Sequence, residues 1–231
     1  MLNFVLAFPI GVDKSSPFKF NDNYSFEEGK KGVVVPGCSV ILDVIRNDAS
    51  ENLSELFLEH REISAAEASA IDSHKSLLFL LGKIKSVDDL RSVNGTIVKM
   101  FGAGAKGVYM QQSGTAWTPD AFAEVLLDGD FPMDPWTNYV GNDESLYSLG
   151  LEAFGLPDLC ISRNVGSDEE LENILSVASD SLFVEKVPCK SGTEIDVPEV
   201  GVFRLRQEVG SPFAKDSPEF NRMGILRLVR A

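Results

Sequence analysis

The stretch Leu146–Ile161, LYSLGLEAFGLPDLCI, decides how the chain folds. Its apolar residues do not alternate. Leu146, Tyr147, Leu149, Leu151, Phe154, Leu156, Leu159 and Ile161 crowd both faces, with Gly150, Gly155 and Pro157 set among them. An apolar run broken by turn formers predicts strand, short turn and strand inside a sheet covered on both sides. Enclosing each large side chain is worth roughly 1.5–3 kcal/mol, so core formation comes first. Tyr147 or Cys160 facing a ligand is the alternative.

Upstream of this run, residues 2–10 are apolar on both alternating sets and predict a central strand. Residues 13–32 are polar and read as a loop. Gly32–Ile45 is rich in β-branched residues, and Pro36-Gly37 divides it into two short strands or one kinked edge strand. Asp48–Asp72 holds helical turns, with a capping box at Ser64 and Glu67. Ser76–Ile84 is a buried strand. Ser86 opens a helix with Asp88 and Asp89 in its first turn, where the helix dipole favours negative charge. Leu90, Val93, Ile97, Met100 and Phe101 follow at helical spacing, Gly102 and Gly104 stop it, and Ala105–Gln112 is a strand.

Thr118-Pro119-Asp120 is a helix start, with Trp117 and Phe122 placed as a hydrophobic staple and Gly129 as the stop. A strand is expected within Asp134–Val140, and 141–144 is a turn. Beyond the central run, Ser167 and Glu170 form a second capping box ahead of Leu171, Ile174, Leu175, Ala178 and Leu182. Val187–Pro198 reads as a polar connection. Val200–Glu208 and Ile225–Val229 are the last strands.

Strands often follow one another without helices between them. This favours an α+β fold: mostly antiparallel sheet with helices on its faces, as one unit over 1–231. Two similar α/β halves are one alternative, and sub-structure over 1–85 and 86–231 is another.

Composition narrows function. With 35 acidic and 21 basic residues the net charge is −14, which repels nucleic acid and anionic membrane. The same field suits a basic protein partner. Three scattered cysteines without C-x-x-C make no disulfide framework and fit a reducing cytoplasm. His60 and His74 are too far apart in sequence to suggest a zinc set with any cysteine. The N-terminus lacks a basic region and a cleavage pattern, and no run reaches the roughly 18 apolar residues of a membrane span.

Chemical motifs dissolve on inspection. Gly102–Gly107 matches G-x-G-x-x-G, but a cofactor loop lies between a strand and a helix, and here the order reads helix, glycines, strand. A rival reading, with 96–101 as strand, stays open. Ser16 and Lys19 match S-x-x-K without companion motifs. His60 and His74 read as surface or capping residues. Acidic pairs such as Asp88/Asp89, Asp143/Glu144 and Glu169/Glu170 fit helix starts and turns.

The stretch from His74 to Ile161 resembles an uncharacterised bacterial family, domain of unknown function 4261. The likeness lies in His74 before an apolar strand, AKGVYMQQ before the Trp-Thr-Pro helix start, Trp136 after prolines, and SLGLEAFGLPDL. KSGTEIDVPE and the closing strand extend it loosely. The resemblance implies a bacterial cytoplasmic protein and carries over no catalytic residue.

No catalytic, cofactor or metal residue is therefore assigned. The leading expectation is a non-enzymatic binding or inhibitory module with an acidic surface, meeting a basic protein or a second copy of itself. Trp117, Trp136 and Tyr139 are its candidate interaction residues. A hydrolase using pocket carboxylates and a structural homo-oligomer are the alternatives.

Overall fold

In the computed structural model, residues 4–127, 132–217 and 219–231 are described. They form an α+β fold of five α-helices and 14 strands in mostly antiparallel sheets. The chain divides into two compact units, 1–111 with 115–129 and 112–114 with 130–231. No helix among the described residues is long and apolar enough to cross a membrane.

The first unit runs β1 (Phe4–Ile10), β2 (Phe18–Asn21), β3 (Tyr24–Phe26), β4 (Val33–Val34), β5 (Ile41–Asp48), α1 (Leu53–Leu58), α2 (Ala65–Asp72), β6 (Ser76–Gly82), α3 (Val87–Gly102), β7 (Val108–Met110), β8 (Thr115–Trp117) and α4 (Pro119–Leu127). Its main sheet has the order β4-β5-β6-β1-β7-β8, all antiparallel. β1 is central, as expected. Pro9 is tolerated there because the β1–β7 ladder stops at Ala7↔Tyr109, and the Pro9 carbonyl accepts from Lys106 N–H at 2.9 Å. β1 needs β6 on one side and β7 on the other. Residues beyond 86 therefore belong to this unit, and the division falls near 130 rather than at 85/86.

Local signals act as read. Pro36-Gly37 forms a turn closed by Cys38 N–H on Val35 C=O at 2.9 Å, with Gly37 at φ +78°, which glycine adopts without strain. The Ser64–Glu67 capping box is present, and Ser86 caps α3 by accepting from Asp89 N–H at 3.1 Å. Ser86→Ala is expected to cost about 1 kcal/mol in thermal denaturation, and an unchanged melting curve would contradict this role. Trp117 and Phe122 meet edge-on at 6.2 Å as the staple required. The expected stop at Gly129 lies outside the described residues.

Two expectations fail. The polar segment 13–32 contains the β2–β3 hairpin, held by Phe20, Tyr24 and Phe26 in mutual edge-to-face contact at 5.2–6.2 Å. Aromatic alternation over so few residues is swamped by its polar surroundings.

The second unit runs β9 (Asn138–Gly141), β10 (Ser145–Leu149), β11 (Asp158–Ser162), α5 (Asp168–Phe183), β12 (Glu194–Val197), β13 (Gly201–Gln207) and β14 (Ile225–Arg230), in the sheet order β12-β13-β14-β11-β10-β9. The second failed expectation is here: 187–198 is not only a connection, since β12 turns Ile195 and Val197 inward and Glu194 and Asp196 outward.

The 146–161 run makes the paired β10 and β11, almost wholly buried, with a short 3₁₀ turn over Leu151–Phe154 between them. Gly150, at φ +107°, is required: a Cβ there would overlap the Trp136 carbonyl oxygen. α5 lies on this sheet through Leu171, Ile174, Leu175, Ala178 and Leu182, all buried. Its crossover makes β11 and β14 parallel, the exception in an otherwise antiparallel fold.

Candidate functional site

The three aromatic candidates are divided between the two units. Trp117 is buried in the first unit, edge-on to Phe122 and beneath the Arg61 guanidinium, 3.6 Å from its ring centroid. Trp136 is buried in the second unit against Phe154 at 6.1 Å, and Phe154 meets Phe183 at 4.8 Å. Both tryptophans are core, because enclosing so much apolar area outweighs displaying it. Tyr139, on β9, is only half-buried and leads to an acidic cluster on α5.

Glu172, Ser176 and Asp180 stand four residues apart along α5 and therefore share one face. The Ser176 hydroxyl donates to Asp134 Oδ1 at 3.1 Å, joining α5 to the 3₁₀ turn Asp134–Trp136. Tyr139 is hydrogen-bonded to Ser176 and feels Asp134, Glu172 and Asp180. Burial, with the fields of Asp134 and Glu185 adding to it, pushes the Asp180 carboxyl up to about 7. Burial also raises Asp134, against the Ser176 hydrogen bond, and raises Glu172 with help from Asp168 and Glu169. The Tyr139 phenol rises mainly from the same loss of water.

Asp180 Oδ1 is buried without a hydrogen-bond partner, and no Lys or Arg among the described residues makes an ion pair with Asp134, Glu172 or Asp180. Partly desolvated carboxylates without a counter-charge gain by receiving a cation or holding a proton. A protonated Asp180 is also equipped to act as a general acid. No group of three or more His, Cys, Asp or Glu suited to a metal ion occurs among the described residues.

The sequence missed Asp134, Ser176 and Asp180. The spacing on α5 was its only signal, and a solvated helix face looks the same.

The remaining candidates are structural. Cys160 is fully buried and burial pushes its thiol up to about 12, so it is no thiolate nucleophile. Nearby, Arg227 Nε donates to Glu208 at 2.5 Å and Nη1 to Ser145 Oγ at 3.0 Å, while Tyr147 meets Phe213 edge-on at 5.5 Å. His74 is buried, not a surface residue. Its Nδ1–H donates to Ile71 C=O at 2.7 Å and its Nε2 accepts from Ser50 N–H at 3.1 Å, so both nitrogens tie α2 to the chain after β5. His60 is half-buried, and burial lowers its basicity.

Gly102–Gly107 closes α3 and is no cofactor loop. Ala105 N–H donates to Met100 C=O at 3.0 Å and Gly104 N–H to Phe101 C=O at 2.9 Å, with Gly104 at φ +104°, which is a Schellman cap. Ser16 lies in a turn rather than at a helix start, and Lys19 pairs with Asp22 at 2.9 Å.

The fold and the cluster together define a two-unit α+β protein with a carboxylate-rich face on its second unit. No family model matches the chain, and neither a curated protein nor a solved structure matches it.

Proposed function

We propose that the protein is a non-enzymatic binding or inhibitory module whose α5 carboxylates take a basic side chain of a protein partner. The observation that carries this is the Asp134–Asp180 cluster: carboxylates short of water and without a cation, on the unit that holds 18 acidic against 9 basic residues. The acidic field speeds encounter, and the desolvated pair supplies the specific contact.

Pull-down at low and at physiological salt tests it. The expected result is a basic protein retained by the wild type and lost, by tenfold or more, from Asp134→Asn/Asp180→Asn. Equal retention by the variant, or no retained protein at either salt, removes the reading. Binding is also expected to strengthen from pH 6 to pH 8, because Asp180 gives up its proton near 7 and charge attraction grows; a flat profile would count against it.

Self-association is the second reading, favoured by a different observation. Val34, Ile41 and Ile45 are 68%, 64% and 44% exposed. They share a sheet face, since Val34 pairs with Ile41 and Ile45 lies four residues on along the same strand. Sedimentation at several concentrations separates the two readings.

A further inference from the structure

A groove of about 520 Å³ lies in the first unit between the β2–β3 hairpin, the Pro36-Gly37 turn and the end of α3, lined by Phe20, Asn21, Pro36, Gly37, Lys99, Gly102 and Ala103. We propose that it binds a small apolar carboxylate, its head on Lys99 and Asn21 and its chain along Phe20 and Pro36.

The chemistry of the lining sets the ligand class. The Lys99 ammonium makes no ion pair or hydrogen bond among the described residues. It lies over Gly37, whose φ of +78° favours glycine and whose missing Cβ leaves Nζ room to come this close. Asn21 uses Oδ1 to accept from Asn23 N–H at 2.9 Å, so its NH₂ is the group left to offer. Two donor groups, one of them charged, call for an anion. Phe20, Pro36 and the small surfaces of Gly102 and Ala103 call for an apolar body that approaches closely.

The end of α3 would ordinarily oppose an anion, because helix C-termini carry partial negative charge. Here three of the last four carbonyls, Lys99, Met100 and Phe101, receive N–H groups from Ala103, Ala105 and Gly104. That mutes the opposing dipole, and the full charge of Lys99 prevails.

The walls are set in advance. The turn is fastened to α3 by Ser39 N–H on Ser92 Oγ at 2.7 Å and by Ser39 Oγ on Asp89 Oδ1 at 3.2 Å. The Phe20–Tyr24–Phe26 cluster stiffens the hairpin. Little ordering is therefore left to oppose binding.

The test is an amide NMR titration of the whole chain with octanoate, and with octanol and octylammonium as controls. Octanoate is expected to shift the amides of Phe20, Gly37 and Gly102 saturably. Lys99→Met is expected to weaken octanoate at least tenfold while leaving octanol unchanged, and Lys99→Arg to retain octanoate. No saturable shift by about 10 mM, equal binding of octanoate and octylammonium, or an undiminished Lys99→Met variant would each overturn the proposal. The outcome is independent of the α5 carboxylates.

Discussion

Replacing Arg46 by Met is expected to lower stability by about 3 kcal/mol, read from urea or thermal unfolding. Arg46 sits on β5 at 1% exposure. Its Nη1 donates to Ser16 C=O at 3.1 Å, and Nη2 donates to Asp13 C=O at 3.0 Å and Ser76 Oγ at 2.7 Å, with Val12 C=O farther off at 3.4 Å. No carboxylate forms an ion pair with it among the described residues. Nε is buried without a partner, and burial lowers the basicity of the group, opposed by the field of Glu28.

Two effects compete when the guanidinium is removed. Freeing a buried charge from its desolvation is favourable, and apolar replacement of buried ions is often neutral for that reason. Here the acceptors are mainly backbone carbonyls of the 12–16 loop, which no apolar side chain can satisfy. Losing their donors outweighs the relief. Val12 keeps a donor from Ser76 Oγ at 2.6 Å and Asp13 one from Ser16 N–H at 2.9 Å, while Ser16 C=O loses the donor it has in Arg46. Arg46→Lys should lie between Met and wild type, because a compact ammonium cannot span the same acceptors. A Met variant within about 1 kcal/mol of wild type would show that the loop closes without the guanidinium.

The second large effect concerns Asp158, which opens β11 at 2% exposure. Burial pushes its carboxyl up to about 8; hydrogen bonds from Asn221 and from Leu151 N–H, the latter at 3.1 Å, pull the other way, and Glu152 adds to the rise. An unfolded Asp ionises near 3.9. Between that value and about 8 the folded protein therefore holds a proton that the unfolded chain has lost. Stability falls as pH rises through this window, by up to ~1.4 kcal/mol per pH unit from this one group, and levels off above it.

Asp158→Asn cannot ionise and keeps an acceptor for Leu151. Its urea midpoint is expected to fall less than that of wild type between pH 5 and pH 8, with the variant relatively more stable at the alkaline end. Asp180, raised to about 7, adds a slope of the same sign in both proteins, so the comparison isolates Asp158. Parallel curves would sink the assignment.

Both residues mark the limit of sequence reading. An arginine after a β-branched run is usually a rim residue, and nothing near Arg46 foretells that carbonyls 30 or more residues earlier will enclose it. Asp158, following Gly-Leu-Pro, looks like a turn residue. Asp134 and Asp180 look like any acidic residues until a 3₁₀ turn is laid against α5. The two tryptophans failed as surface candidates for the complementary reason: sequence gives their size, and only packing says whether that size is enclosed.

What the chain alone determined was local or compositional. Ser64, Ser86 and Ser167 start helices because a hydroxyl reaches an amide within its own turn, and Gly104 ends one because left-handed backbone suits it. The interior fate of 146–161 was equally legible, because no arrangement leaves so dense an apolar run in water. Tertiary structure alone decided that β1 lies between β6 and β7, that β14 runs parallel to β11, and that Asp134, on a distant 3₁₀ turn, meets the face of α5 that carries Ser176 and Asp180. Those outcomes depend on which surfaces close over which, an energy summed over residues remote along the chain and absent from any short window of it.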